Sequence, residues 1–309
     1  MRDVMKLFAG LLFLSTFFFS LASSAAQPEA NYDLRRSLQY GTHDGVALTG
    51  DLYVPKAAGA HPVLVAVHGG DWQFADAQLY QYWGPYLAQR GYAVFAINYR
   101  LTKANQNLYP AALNDVRAAV QFLRERGASM QIDPNRIGLM GDSAGAHLAA
   151  LAALTADQAA FSGSYADDVY ARASSKVKVC VGIYGVYDMA AQWQYDSVHD
   201  ASDNIAQMFL GTSLADNRRV YFDASPLSYV TRGNNQTAFF LAWGSKDDRV
   251  DSASQSGAFA KALQTSGFSV QSQVLPGAPH YWASDEIKSA HSYPGLMAPR
   301  LLKFLQEKL

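Results

Sequence analysis

The chain has 309 residues, half of them hydrophobic, and a formal net charge of −1. This length and apolar content suit one large α/β domain with a sizeable core. With a charge so close to neutrality and no run of basic residues, no nucleic-acid or other polyanionic partner is expected. Cys180 is the only cysteine, which excludes an intrachain disulfide.

The first 26 residues have the order of a secretory signal peptide. Arg2 and Lys6 precede the apolar run Leu7–Leu21, and small residues continue to Ala26. The run is shorter than the ~20 residues that span a bilayer, which favours cleavage after Ala26 over an uncleaved membrane anchor. We therefore expect a secreted or periplasmic mature chain, 27–309, without stable membrane association.

From residue 35 onward, predicted strands and helices alternate along the chain. Alternation implies an α/β fold with a mostly parallel central sheet covered by helices on both faces. The first two strands follow each other closely enough to form an antiparallel edge. The strands are predicted near 35–40, 46–53, 63–67, 93–98, 136–140, 177–183, 237–243 and 271–275, and the helices near 75–90, 111–126, 143–155, 252–266 and 295–308.

Residues 186–232 interrupt this alternation. The stretch is rich in aromatic and polar residues and is too long for one connecting helix. Long connections are usually functional, so we interpret it as a cap insertion that folds over the site of a single catalytic domain. The alternative is a surface excursion with no role in the pocket.

The most informative motif is Gly141–Gly145, which has the form G-x-S-x-G. An apolar stretch at 136–140 precedes it and an alanine- and leucine-rich helix follows. Strand, tight turn and helix form the context of a nucleophile elbow, in which the glycines let the turn close. Ser143 is therefore the candidate nucleophile. An ordinary turn serine would not explain the motifs that accompany it.

Three further segments place polar groups directly after predicted strands. His68–Trp72 reads HGGDW, Gly244–Val250 reads GSKDDRV, and His280 follows the last strand through a turn. Adjacent glycines leave backbone N–H groups unshielded, which suits an oxyanion hole. The order Ser, Asp, His along the chain is that of a G-x-S-x-G hydrolase.

Together these motifs resemble the α/β-hydrolase fold and, within it, the hormone-sensitive-lipase-type esterases and the bacterial feruloyl- and acetyl-esterases. The resemblance covers roughly residues 45–305. It implies a serine carboxylesterase that works through an acyl-enzyme. Small or aryl esters are the expected substrates, because Asp71 would disfavour anionic acyl groups and aromatic residues at the rim would stack on flat ones. The chain departs from the pattern twice, because Asp71 stands where many relatives have glycine or tyrosine and Asp251 stands where proline is usual.

The catalytic triad implied by this resemblance is Ser143, His280 and Asp247. A serine hydroxyl needs a base within hydrogen-bond reach, and that base needs an orienting carboxylate. His280 leaves the last strand at the position where this fold carries its histidine. The G-x-x-D spacing favours Asp247 over its neighbour Asp248, and the sequence alone leaves the choice open.

Backbone N–H groups of Gly70, Asp71 and Ala144 are the expected oxyanion donors. The Asp71 carboxylate is expected to turn away or to bond a neighbour, because an unpaired anion beside an oxyanion would oppose catalysis. The candidate substrate-binding walls are Trp72, Tyr187 and Tyr281, with Tyr184, Trp193 and Trp282 as further aromatic candidates.

No metal-binding or phosphate-cradling motif occurs in the sequence, so neither a metal nor another cofactor is expected. The expected partner is a small-molecule ester, and the oligomeric state stays open. HGG-x-W also resembles kynurenine formamidases, which makes an arylformamidase-like amidase the nearest alternative. A non-catalytic binding module on the same fold is less favoured, because such modules typically lose a triad member and all three can be assigned here.

Overall fold

Eight strands form one sheet in the part of the chain that the computed structural model describes, residues 31–156, 158, 161 and 165–309. The predicted signal peptide, 1–26, lies outside the described residues. The strands are β1 (Tyr32–His43), β2 (Val46–Pro55), β3 (His61–Val67), β4 (Ala93–Ile97), β5 (Ile132–Asp142), β6 (Val179–Ile183), β7 (Ala238–Gly244) and β8 (Val270–Leu275).

The strand order across the sheet is β1-β2-β4-β3-β5-β6-β7-β8. The pairs β1–β2 and β2–β4 are antiparallel, and every other pair is parallel. In the centre, Val65 of β3 pairs with Phe95 of β4 and Leu139 of β5. The predicted mostly parallel sheet with an antiparallel edge is confirmed.

The helices of the described residues lie in the connections between strands and after β8. None of them is long and apolar enough to cross a bilayer. They are α1 (Trp83–Ala88), α2 (Ala111–Arg126), α3 (Ala144–Leu154), α4 (Met189–His199), α5 (Ile205–Leu210), α6 (Arg218–Asp223), α7 (Ala258–Thr265) and α8 (Tyr293–Lys308).

The first predicted helix, 75–90, is wrong in extent. The structure has a short 3₁₀ turn at Ala77–Tyr80 and then the separate helix α1. Pro85 lies in the first turn of α1 and has no N–H to donate to the carbonyl of Gln81. Proline is tolerated in a first turn, where no partner is needed, so the helix begins at Trp83 instead of running through.

The core lies on both faces of the sheet. Val63, Val65 and Val67 of β3 point to the face covered by α2, α3 and α7, while Leu64 and Ala66 point to the face covered by α1 and α8. Alternation of side chains along a strand produces this division. Because β3 to β8 run parallel, the loops that leave their carboxyl ends gather at the same end of the sheet.

The segment 186–232 contains α4, α5 and α6 between β6 and β7. Its helix α4 packs against α5 and α6. Phe209 of α5 stacks on Trp72 at a centroid distance of 4.5 Å, and the Tyr195 hydroxyl of α4 donates to the Asp248 carbonyl over 3.0 Å. The segment therefore contacts two loops that hold predicted site residues.

Candidate active site

Ser143 occupies the sharp turn between β5 and α3. Its φ of 51° and ψ of −121° lie in a region that non-glycine residues rarely adopt, which is a strained conformation. A Cβ on Gly141 would lie 2.3 Å from the carbonyl oxygen of Gly145, and a Cβ on Gly145 would lie 1.9 Å from that of Val67. Only glycine fits at either position, as a nucleophile elbow requires.

Ser143, His280 and Asp247 form a continuous hydrogen-bonded chain. Ser143 Oγ lies 2.9 Å from His280 Nε2, and His280 Nδ1 lies 2.7 Å from Asp247 Oδ2. The carboxylate can only accept, so the neutral imidazole carries its proton on Nδ1 and offers Nε2 to the serine hydroxyl. The structure brings Asp247 to the histidine and leaves Asp248 exposed.

The Asp247 carboxylate is fixed by its own loop. Its Oδ1 accepts the backbone N–H groups of Arg249 and Val250 over 3.0 and 2.9 Å, which leaves Oδ2 for His280. The side chain is 1% exposed. A carboxylate held by two N–H donors cannot rotate freely, so it orients the imidazole.

Tyr184 supports the histidine from behind. Its ring centroid lies 4.4 Å from that of His280, and its hydroxyl accepts the N–H of Ala283 over 2.9 Å. Tyr184 is buried and has a φ of 38°, an uncommon value for a tyrosine. It therefore belongs to the scaffold of the base. Tyr281, in contrast, is 56% exposed and stands beside His280 at the rim.

The three predicted oxyanion donors are free of protein acceptors within the described residues. No backbone or side-chain acceptor there receives the N–H of Gly70, Asp71 or Ala144. Ala144 is the first residue of α3, where a helix leaves its N–H groups unpaired. A Cβ on Gly69 would lie 3.2 Å from Ser143 Cβ, so the glycine loop passes directly against the nucleophile.

His68 holds this glycine loop in place through its ring and its carbonyl. Its Nδ1 donates to the Gly69 carbonyl over 2.7 Å, its ring stacks on Tyr99 at 4.3 Å, and the Tyr99 hydroxyl donates to its carbonyl over 3.0 Å. Burial lowers the pKa of His68 to about 4, so the ring is neutral. The expected structural role of His68 is consistent with these contacts.

Asp142 is a polar residue of the site that the sequence reasoning missed. Its Oδ1 accepts the Gly69 N–H and the Tyr80 hydroxyl, both over 3.1 Å, and so ties the glycine loop to the elbow. Burial raises the pKa of Asp142 to about 6, and these two donors oppose the shift. The sequence signal that could have identified Asp142 is its place as an acidic residue between the apolar stretch 136–140 and Ser143.

Two of the predicted substrate-binding walls are core residues instead. Trp72 is fully buried, stacks on Phe209, and donates from Nε1 to His147 Nδ1 over 3.1 Å. Tyr187 is 1% exposed and stacks on Phe259 at 4.2 Å. A side chain without accessible surface presents nothing to a substrate. Of the three predicted walls Trp72, Tyr187 and Tyr281, only Tyr281 reaches solvent.

The Asp71 carboxylate is paired, as expected. Its Oδ2 lies 3.0 Å from Arg249 Nη2, and the same nitrogen lies 2.6 Å from Asp203 Oδ2. No group of three or more His, Cys, Asp or Glu side chains suited to hold a metal ion occurs in the described part of the chain.

Comparison with known proteins decides the family. The family model described as BD-FAE matches residues 50–263, more than half of the chain. The chain belongs to the BD-FAE family. Esterase LipQ of Mycobacterium tuberculosis is 35% identical over 224 residues, which cover 71% of this chain and 50% of LipQ. The chain thus spans about half the length of the curated relatives it matches.

Solved structures support the fold. A truncated carbohydrate esterase from gut microbiota superposes with a TM-score of 0.73 at 23% identity and covers 91% of this chain and 98% of its own. The esterase Est2 of Thermogutta terrifontis superposes with a TM-score of 0.68 at 21% identity, covering 91% and 92%. At such identities the likeness concerns the fold, and the expected α/β-hydrolase fold is confirmed.

Proposed function

We propose that this BD-FAE family member is a serine carboxylic-ester hydrolase. The observation that carries the proposal is the hydrogen-bonded chain from Ser143 Oγ through His280 to Asp247, with unpaired N–H groups beside the nucleophile. Membership of the family and similarity to curated esterases support it. A catalytically inactive binding module would have no need for a strained serine aligned with a base.

The proposed reaction proceeds through an acyl-enzyme. Ser143 Oγ attacks the ester carbonyl carbon while its proton passes to His280 Nε2. The carbonyl oxygen becomes negative and accepts the N–H groups of Gly70, Asp71 and Ala144. The C–O bond then breaks, and the alcohol leaves with the proton from His280. Water, deprotonated by His280, releases the acid and restores the serine.

We further propose that the substrates are small or aryl esters. Structures of the similarly folded Thermogutta terrifontis esterase were obtained with propionate and with butyrate bound, which supports short acyl groups. Tyr281 presents an exposed ring beside His280 on which a flat alcohol or acyl group can stack. Near this rim the carboxylates of Asp71 and Asp203 share the one guanidinium of Arg249, and the remaining net negative charge disfavours anionic substrates.

Covalent labelling tests the nucleophile. The Thermogutta terrifontis esterase has been solved phosphorylated by paraoxon, so paraoxon is the probe of choice. Mass spectrometry should locate one diethylphosphoryl group on Ser143 and none on the Ser143→Ala variant. Ser143→Ala and His280→Ala should lower kcat by roughly 10⁴-fold or more, and Asp247→Asn should lower it far more than the matched control Asp248→Asn. A labelled Ser143→Ala variant would refute the assignment.

A substrate panel tests the class. Values of kcat/KM for p-nitrophenyl acetate, butyrate, octanoate and palmitate should fall with chain length. Formanilide, the formyl amide of aniline, tests the amidase alternative on the same preparation. Faster hydrolysis of the anilide than of any ester would favour that alternative, and a preference for palmitate would contradict the proposed substrate size.

Export is a separate proposal, supported by the basic, apolar and small-residue order of residues 1–26. Amino-terminal sequencing of the protein from a periplasmic or medium fraction should begin at or near Gln27. An intact Met1 on protein recovered with membranes would favour an anchor.

A further inference from the structure

One guanidinium links the glycine loop, the loop of the triad acid and the 186–232 segment. Nη2 of Arg249 lies 3.0 Å from Asp71 Oδ2 and 2.6 Å from Asp203 Oδ2. Asp71 belongs to the glycine loop, Arg249 follows Asp247 by two residues, and Asp203 belongs to the segment between β6 and β7. The cation is therefore shared by two anions from different parts of the fold.

Arg249 is held in this position through its backbone. Its N–H donates to Asp247 Oδ1 over 3.0 Å, and its carbonyl accepts Gln192 Nε2 of α4 over 3.2 Å. The side chain is 24% exposed and starts from a fixed point beside the triad acid. The fixed backbone therefore places the guanidinium within reach of Asp71.

The Asp71 carboxylate needs this partner. Its side chain is only 12% exposed, and its second oxygen, Oδ1, is buried without a partner in the described residues. Asp71 also supplies one of the proposed oxyanion N–H groups. A buried, unpaired anion attached to that residue would repel the negative charge that develops on the substrate oxygen.

We propose that Arg249 is a positioning residue that neutralises Asp71, so that an aspartate can serve in the oxyanion loop. The inference rests on the proposed esterase function. Arg249 does not touch the reacting atoms. It acts through Asp71, and Asp203 anchors the same guanidinium from the 186–232 segment. The charge effect is specific to the transition state, where the oxyanion forms, so kcat depends on it more than KM.

Single variants test how the positive charge of Arg249 affects kcat. Arg249→Met should lower kcat for p-nitrophenyl acetate by roughly 10- to 100-fold, with a smaller change in KM, which is less than the roughly 10²- to 10³-fold loss that removal of an oxyanion donor causes. Arg249→Lys keeps the positive charge and should retain most of kcat. Arg219→Met is the matched control, because it removes the exposed pair with Asp223 on α6, and it should leave kcat unchanged.

A double variant at positions 71 and 249 decides whether the role of Arg249 is electrostatic or structural. Asn tolerates the φ of 53° at position 71 and removes only the charge. Asp71→Asn/Arg249→Met should therefore recover at least 10-fold in kcat over Arg249→Met. No recovery, or equal losses in the Met and Lys variants, would overturn the proposal. An inactive wild-type protein, or an active Ser143→Ala variant, would refute the esterase function instead.

Discussion

Replacing Asp142 with asparagine should change how the stability of the protein depends on pH. The Asp142 side chain lies beneath the nucleophile turn, where Oδ1 accepts the Gly69 N–H and the Tyr80 hydroxyl. Asparagine can offer its amide oxygen to the same two donors but cannot ionise. The variant therefore removes the cost of burying a charge at this position while it keeps the acceptor.

The raised pKa of Asp142 sets the sign and the size of this change in stability. Burial raises the pKa of Asp142 from 3.8 to about 6. Between these values the folded state binds more protons than the unfolded chain, so the Asp142 contribution to stability falls as pH rises from about 4 to 6. A shift of roughly two pH units corresponds to about 3 kcal/mol. The free energy of unfolding of Asp142→Asn should gain that amount relative to wild type across this window.

Urea denaturation at pH 4, 5, 6 and 7, followed through the five tryptophans, measures the difference. Lost packing or an altered hydrogen bond changes the free energy of unfolding by the same amount at every pH. The test is therefore how the difference between variant and wild type varies with pH. Asp133→Asn is the control of opposite sign, because the Asn135 N–H and Arg136 lower the pKa of Asp133. A difference for Asp142→Asn that is flat with pH, or that grows toward acid, would refute the reasoning.

Three further changes test the scaffold by urea denaturation. Gly145→Ala should destabilise the fold by roughly 4 kcal/mol, because its Cβ would meet the Val67 carbonyl at 1.9 Å. Tyr184→Phe should cost about 1–3 kcal/mol, because the buried Ala283 N–H loses its acceptor. His43 is buried and bonds the carboxylates of Asp115 and Asp168 over 2.6 and 3.0 Å; burial alone would lower the pKa of His43, but these two hydrogen bonds raise it. The stabilising contribution of His43 is complete below its pKa in the unfolded chain and is lost as pH rises through its pKa in the folded state. His43→Gln should therefore destabilise the protein more at pH 6 than at pH 9.

Strands and the candidate triad were predictable because short-range sequence determines them. The central strands β3 to β7 lie where apolar stretches predict them, since strands covered on both faces must be apolar. The extent of β1 was underestimated at 35–40. It runs over Tyr32–His43 as an edge strand, where backbone pairing with β2 continues through exposed polar residues that give no apolar signal.

Aromatic residue type could not separate a pocket wall from the core. Trp72 and Tyr281 each neighbour a predicted site residue, yet Trp72 is fully buried and Tyr281 is exposed. The difference arises from α5, whose Phe209 covers the Trp72 ring. The 186–232 segment therefore buries one aromatic residue that the sequence offered as a pocket wall, through a contact between residues far apart in sequence.

Asp71 shows what a departure from a family pattern means physically. An acidic residue in an oxyanion loop is unfavourable in isolation, because its charge has the same sign as the transition state. The compensating Arg249 lies 178 positions away, and Asp203 lies 46 positions before it, in the 186–232 segment. A local motif cannot report such a partner, whereas the parallel sheet brings the loops after β3 and β7 to the same edge. The departure at position 71 is thus accommodated by a long-range ion pair with residues that no short motif contains.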